Sequence, residues 1–166
     1  MQQDTIRIQG FTRVAMAQDG KIIGDTGWIG PNRLVNGAYE YYLCKLLGSS
    51  AGSSQIGYMA IGTGGLIATD ATVLSGELSS ATLGDKRKAV TKGFTNRADS
   101  TSPATLQFTA TFGSTDSVVT GSANISNIGL YYSNASNNSI FDGNTYNSSQ
   151  LSSNQDVYCT YEVRFT

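Results

Sequence analysis

Asp156-Val157-Tyr158-Cys159-Thr160-Tyr161-Glu162-Val163-Arg164-Phe165 alternates without a break, with Val157, Cys159, Tyr161, Val163 and Phe165 on one side. Successive side chains of a strand point to opposite faces, so this stretch reads as a strand with one face on a core. The run 105–112 repeats the pattern, with Leu106, Phe108, Ala110 and Phe112 inward and threonines and Gln107 outward. In 125–132, Ile128, Leu130 and Tyr132 share a face; near the start, Ile6 and Ile8 do the same. Residues 55–61 differ. Ile56, Tyr58 and Ala60 oppose Gly57, Met59 and Ile61, so both faces of that strand are expected to be covered.

The connections support the same class. Phe11 to Met16 continues in extended style after Gly10, a bend or bulge position. Gln18-Asp19-Gly20-Lys21 carries Asp-Gly between apolar runs, the strongest short hairpin signal. A weaker strand is expected over 88–94, and polar stretches at 96–103, 114–122 and 133–139 separate the elements. One helix is expected near 36–47: Asn36 caps it, and Tyr39, Tyr42, Leu43, Leu46 and Leu47 form one stripe that Gly48 ends. The expected fold is all-β: an antiparallel, jelly-roll-like β-sandwich with that one short helix. It forms a single domain, 1–166, in which a hairpin, loop and helix (1–50) precede the main sandwich (55–166).

Composition narrows the function classes. Among 166 residues, only 14% are charged, against about 25% in typical soluble domains. Eleven basic residues balance twelve acidic ones, so no basic footprint for nucleic acid is expected. Histidine is absent, which removes Ser-His-Asp and Cys-His catalysis and imidazole metal sites. No apolar run approaches the roughly 20 residues that span a bilayer, and the start lacks a signal-peptide pattern, so a soluble chain made in a cytoplasm is expected. Cys44 and Cys159 both sit among apolar and aromatic neighbours and read as small core residues, with a single disulfide as the alternative.

The motifs that carry chemistry elsewhere read as structural here. Ile61-Gly62-Thr63-Gly64-Gly65 lacks the Lys-Ser/Thr of a phosphate loop and the third glycine of a dinucleotide fingerprint, so a tight turn after a buried strand is expected. Asp85-Lys86-Arg87-Lys88 is expected to be a solvated loop or an edge-strand gatekeeper, with contact to an acidic partner as the alternative. Asp142-Gly143-Asn144 and Asp116 lack the carboxylate pattern of a calcium loop, and the tripeptide reads as a hairpin turn between Ile140-Phe141 and Thr145-Tyr146. Four Asn-x-Ser matches arise from composition. No catalytic residues, cofactor or metal are expected. Tyrosines and Trp28 offer stacking surface for sugar or, more simply, packing for the core.

Gly27-Trp28-Ile29-Gly30-Pro31-Asn32, then Val35-Asn36-Gly37, then Tyr58-Met59-Ala60-Ile61-Gly62-Thr63-Gly64, resemble a family of small tailed-bacteriophage virion proteins. Val73-Leu74-Ser75-Gly76-Glu77-Leu78, Phe141-Asp142-Gly143-Asn144-Thr145-Tyr146 and Tyr161-Glu162-Val163-Arg164-Phe165 fit the same likeness, which spans most of the chain. The resemblance implies a capsid decoration (cement) protein: non-enzymatic, a homotrimer, bound to the major capsid protein on the virion exterior. Its second placement is a tail, baseplate or fibre component with a receptor- or glycan-binding surface. The short chain without a coiled-coil shaft favours decoration. Arg13, Trp28, Pro31 and Arg33 are the expected partner-binding residues, carried by the N-terminal hairpin and the Trp28 loop acting as a clamp.

Overall fold

Strand-forming alternation dominates the chain, and the structure, a computed structural model, turns it into two stacked antiparallel sheets. It describes residues 7–32, 34–36, 38, 55–78, 87–95, 104–134 and 140–166. In order, the strands are β1 (Ile8–Gln18), β2 (Lys21–Asp25), β3 (Ile29–Asn32), β4 (Tyr58–Gly62), β5 (Lys88–Ala89), β6 (Thr91–Thr95), β7 (Ala104–Phe112), β8 (Ser122–Tyr131), β9 (Ile140–Ser152) and β10 (Asp156–Phe165). The first sheet has the order β2-β1-β10-β7-β6, with β3 also on β1; the second has the order β5-β4-β8-β9. The fold is therefore an all-β sandwich. The expected helix, like Cys44, Arg33 and Ile6, falls on residues outside the described ones, apart from Asn36 and Ala38.

Alternation decides which face is inside. Val157, Cys159, Tyr161 and Val163 of β10 meet Phe108, Ala110 and Phe112 of β7 and Val14 of β1 in one core. Met59, Ile61, Ile125, Ile128, Leu130, Phe141 and Leu151 enter that core from the second sheet. The β1–β2 hairpin forms where Asp-Gly predicts it, with positive φ at both Asp19 (50°) and Gly20 (74°), the geometry that matches strand twist. Opposite Met16 and Ala17 the partner strand β2 carries a bulge, with Ile23 as its extra residue. The hairpin is part of the sandwich itself, because β1 pairs with β10 from Ile8↔Phe165 to Ala17↔Asp156.

In the second sheet β4 is covered on both faces, as the 55–61 pattern implied. The sheet's outer face carries Ala60, Tyr131 and Ile140, and the segment 63–78 lays Ile67, Ala71 and Leu74 across them. Met59, Ala60 and Ile61 are all buried in consequence. Gly62 and Gly64 permit this layer: a Cβ at Gly62 would lie 2.9 Å from the Gly76 carbonyl oxygen, and one at Gly64 would overlap Ser75. The 61–65 stretch is thus a close-packed exit from a buried strand.

Both seams of the sandwich are bridged by chain that changes sheet, the usual construction of a sandwich corner. On one side β5 belongs to the second sheet, and after Val90 the same stretch continues as β6 in the first. On the other side β3 pairs with β1, and two residues later Leu34 pairs with Asp142 of β9.

Cys159 is a free, fully buried thiol in this core, and burial pushes its pKa far above the usual thiol range. We expect iodoacetamide to leave Cys159 unlabelled in the native protein and to label it fully in denaturant, read by peptide mass spectrometry. Native labelling at that residue would place it outside the core.

Candidate functional site

The β2–β3 connection is fixed by short polar contacts. Thr26 donates its backbone N–H to the Val14 carbonyl (3.0 Å), and its hydroxyl oxygen accepts the Val14 N–H (3.0 Å). Asp25 accepts the Gly27 N–H (2.9 Å) and forms an ion pair with Arg13 (2.5 Å). The Arg13 guanidinium and the Gly27 N–H hold the Asp25 carboxyl below its ordinary pKa. Pro31 follows a cis peptide bond and is exposed. Arg13 thus lies on β1, Trp28 just before β3 and Pro31 within β3, which pairs with β1, whereas Arg33 lies outside the described residues.

Trp28 is not alone on that face. Arg164 of β10 stacks its guanidinium over Phe11 (4.0 Å to the ring centroid) and approaches Trp28 (5.8 Å). Glu162 accepts from both Arg164 (2.7 Å) and Gln107 of β7 (3.1 Å). A row of side chains therefore runs across three strands and ends at an aromatic ring that remains 45% exposed. Tyr158, also on the outward side of β10, is 40% exposed. Cation–π contacts at exposed sites are worth about 0.5–1 kcal/mol, enough to orient Trp28 without burying it.

Beneath this face lies a polar knot that the sequence reading missed. Asp142-Gly143-Asn144 is not a hairpin turn: β9 runs through it without interruption, and Asp142 is fully buried. Asn32 donates to Asp142 (3.2 Å), to the Gly143 carbonyl (3.0 Å) and to the Tyr161 hydroxyl. Asn144 donates to the Thr12 hydroxyl (2.9 Å) and to the Ile29 carbonyl (3.2 Å). The knot joins β3, β9, β10 and β1 across the seam. Its space exists because residue 10 is glycine: a Cβ there would overlap Asn32 Oδ1 and Asp142 Oδ2. Burial pushes the Asp142 carboxyl up to about 8, against the opposing hydrogen bonds from Tyr161, Gly143 and Asn32. The group therefore carries its proton at neutral pH.

A second correction concerns the charge cluster. Arg87 is not solvated: its side chain is 0% exposed and pairs with Glu77 (3.1 Å), itself 4% exposed. The guanidinium lies 3.4 Å from the centroid of Tyr131, whose hydroxyl donates to Glu77 (2.9 Å) and accepts the Leu74 N–H (2.8 Å). Arg87 also donates to the Ser133 carbonyl (3.0 Å). This set pins segment 63–78 onto the second sheet. Lys88 pairs with Asp116 (2.6 Å), which also accepts the Gly113 N–H (2.8 Å), so Asp116 serves a turn. Asp85 and Lys86 are outside the described residues.

Among the described residues no group of three or more His, Cys, Asp or Glu could hold a metal ion, and no helix is long and apolar enough to cross a membrane. An open groove of ≈ 760 Å³ runs between Gly24, Asp25, Thr26 and Ile29 on one side and β9 from Thr145 to Ser149 on the other. Its lining is mostly hydroxyl, amide and backbone. No protein-family model matches the chain, and comparison with curated proteins and with solved structures finds no match.

The knot yields a pH prediction. An unfolded carboxyl titrates near 4 and folded Asp142 near 8, so the folded state retains a proton that the unfolded state releases between them. Stability falls as pH rises through that window, by at most about 1.4 kcal/mol per unit, and levels off above it. We expect Asp142→Asn, which keeps the shape and cannot ionise, to flatten this fall in urea-unfolding midpoints between pH 5 and 9. An unchanged slope in the variant would assign the dependence elsewhere.

Proposed function

We propose that this chain is a non-enzymatic structural protein of a tailed-bacteriophage virion, acting as a capsid decoration protein. In this reading it is a homotrimer whose partner is the major capsid protein, and it sits on the outside of the assembled shell. The observation that supports it best is the β1/β10 face. Trp28, Phe11 and Arg164 form an exposed aromatic–guanidinium cluster on a rigid sheet, with Arg13 and Pro31 beside it. Partially exposed Trp and Arg are the residue types that most often dominate protein–protein binding energy.

The mechanism needs no reacting group. A protein that binds the assembled lattice and not the free subunit stabilises the shell by mass action on the state presenting the site. Several copies of the site in one oligomer raise a modest single-site affinity by avidity. The clamp is a preformed surface of the sandwich in this reading, since its loop is tied to β1 and β10. A second reading, a tail component that binds glycan, is favoured by the groove beside β9 with its hydroxyl and amide lining.

Virions separated into heads and tails, with this protein quantified in each, test the placement. Hundreds of copies per head are expected; a few copies confined to the tail would overturn the decoration reading in favour of the second. Deleting residues 1–30 would remove β1 from its sheet, so the clamp is tested by Trp28→Ala with Arg13→Ala. Loss of these anchors should weaken capsid binding at least about tenfold, or 1.4 kcal/mol, with the thermal midpoint little changed. Undiminished occupancy would remove this face from the contact.

A further inference from the structure

The two sheets end differently. In the second sheet, β5 runs on into β6 and β9 receives Leu34, so both ends are bridged to the first sheet. In the first sheet, β2 pairs only with β1 and β6 only with β7 among the described residues. These two terminal strands are also its most exposed. Ile22 and Ile23 of β2 are 58% and 52% exposed, every residue of β6 is exposed, and Phe94 reaches 69%. An edge strand bearing large apolar side chains is a template for another strand.

We infer that β2 of one copy pairs with β6 of a second copy, so that the six-stranded sheets continue head to tail into a closed oligomer. Three observations fit this occupant. Each edge is five residues long, Lys21–Asp25 and Thr91–Thr95. Every pairing in the sheet is antiparallel, so with the order β2-β1-β10-β7-β6 the two end strands run the same way. Rotation about an axis along the strands therefore sets β2 beside the next copy's β6 in parallel and extends the sheet. Self-pairing of β2 would instead be antiparallel and would leave Phe94 uncovered. Finally, the edges differ in kind: two exposed isoleucines on β2 would face the exposed Phe94 of β6, an apolar match that self-pairing of β2 would not make. Such a contact uses a different patch on each partner, which closes into a ring when the rotation permits.

The inference deepens the oligomer within the function proposed above by naming its contact. Purified protein tests it without virions, so its failure leaves capsid binding standing.

Sedimentation velocity on the full chain and on Ile23→Lys and Phe94→Lys is the test. Both positions are exposed, and unchanged circular dichroism and thermal midpoints would confirm that the variants fold. The wild type should be an oligomer and each variant a monomer. An equimolar mixture of the two variants should form a heterodimer, since one retains its β6 edge and the other its β2 edge. A monomeric wild type, an oligomer that survives either substitution, or variants that stay monomeric when mixed would each overturn the inference.

Discussion

The arrangement depends most on the contact of Asn32 with Asp142 and Tyr161 over the bare α-carbon of Gly10. Two sheets stacked face to face are held by apolar burial, which is non-directional and sets no particular corner. The knot supplies direction, because β3 must deliver the Asn32 amide to a carboxyl on β9 and a phenol on β10 at once. Once Asn32 is placed, Leu34 falls onto Asp142 and the chain crosses between sheets. The same placement fixes the strand immediately after Trp28. The surface loop and the buried knot are successive parts of one short segment.

Such a knot is costly unless it is complete, since a polar group left unpaired in a core loses about 1–3 kcal/mol. The protein limits that cost by keeping Asp142 protonated and so avoiding a buried negative charge. Arg87 and Glu77 solve the corresponding problem beneath segment 63–78 by pairing opposite charges against an aromatic ring. Replacing one member of a buried pair is far more damaging than having neither, so both networks act as latches for chain that lacks regular structure. The second sheet is consequently covered on its outer face around Ala60, Tyr131 and Ile140, and its distal half stays open where Asn124, Asn147 and Gln150 are exposed.

The sequence made the strands legible and hid the latches, for one physical reason. Burial of a strand face repeats every second residue, so Val157 to Phe165 and Leu106 to Phe112 announce their inward sides locally. A buried polar residue has no such period, because its partners lie on other strands. Asp142-Gly143-Asn144 has the composition of a turn, but what decides its state is Asn32, 110 residues away. Arg87 likewise reads as part of a solvated basic run, while its partner Glu77 lies in a segment whose polar composition suggests an ordinary loop. Of the expected surface residues, Arg13 lies on β1, Pro31 on β3 and Trp28 in the connection that precedes β3. Arg164, Phe11 and Glu162, which orient that surface, carry no local signal of it, because their contacts join β1, β10 and β7.

These placements bear on what the protein can do. A general acid must reach the proton it transfers, and Asp142, the described carboxyl with the most displaced pKa, is enclosed by β1, β3 and β10 with no exposed surface. Tyr131 and Tyr161 have their hydroxyls engaged inside the same two networks. The groups that solvent reaches are of another kind: an aromatic ring steadied by a guanidinium, an ion pair between Arg13 and Asp25, and the exposed isoleucines and Phe94 of β2 and β6. The sandwich thus keeps its most displaced carboxyl inside the core and leaves aromatic and charged side chains of the first sheet at the surface.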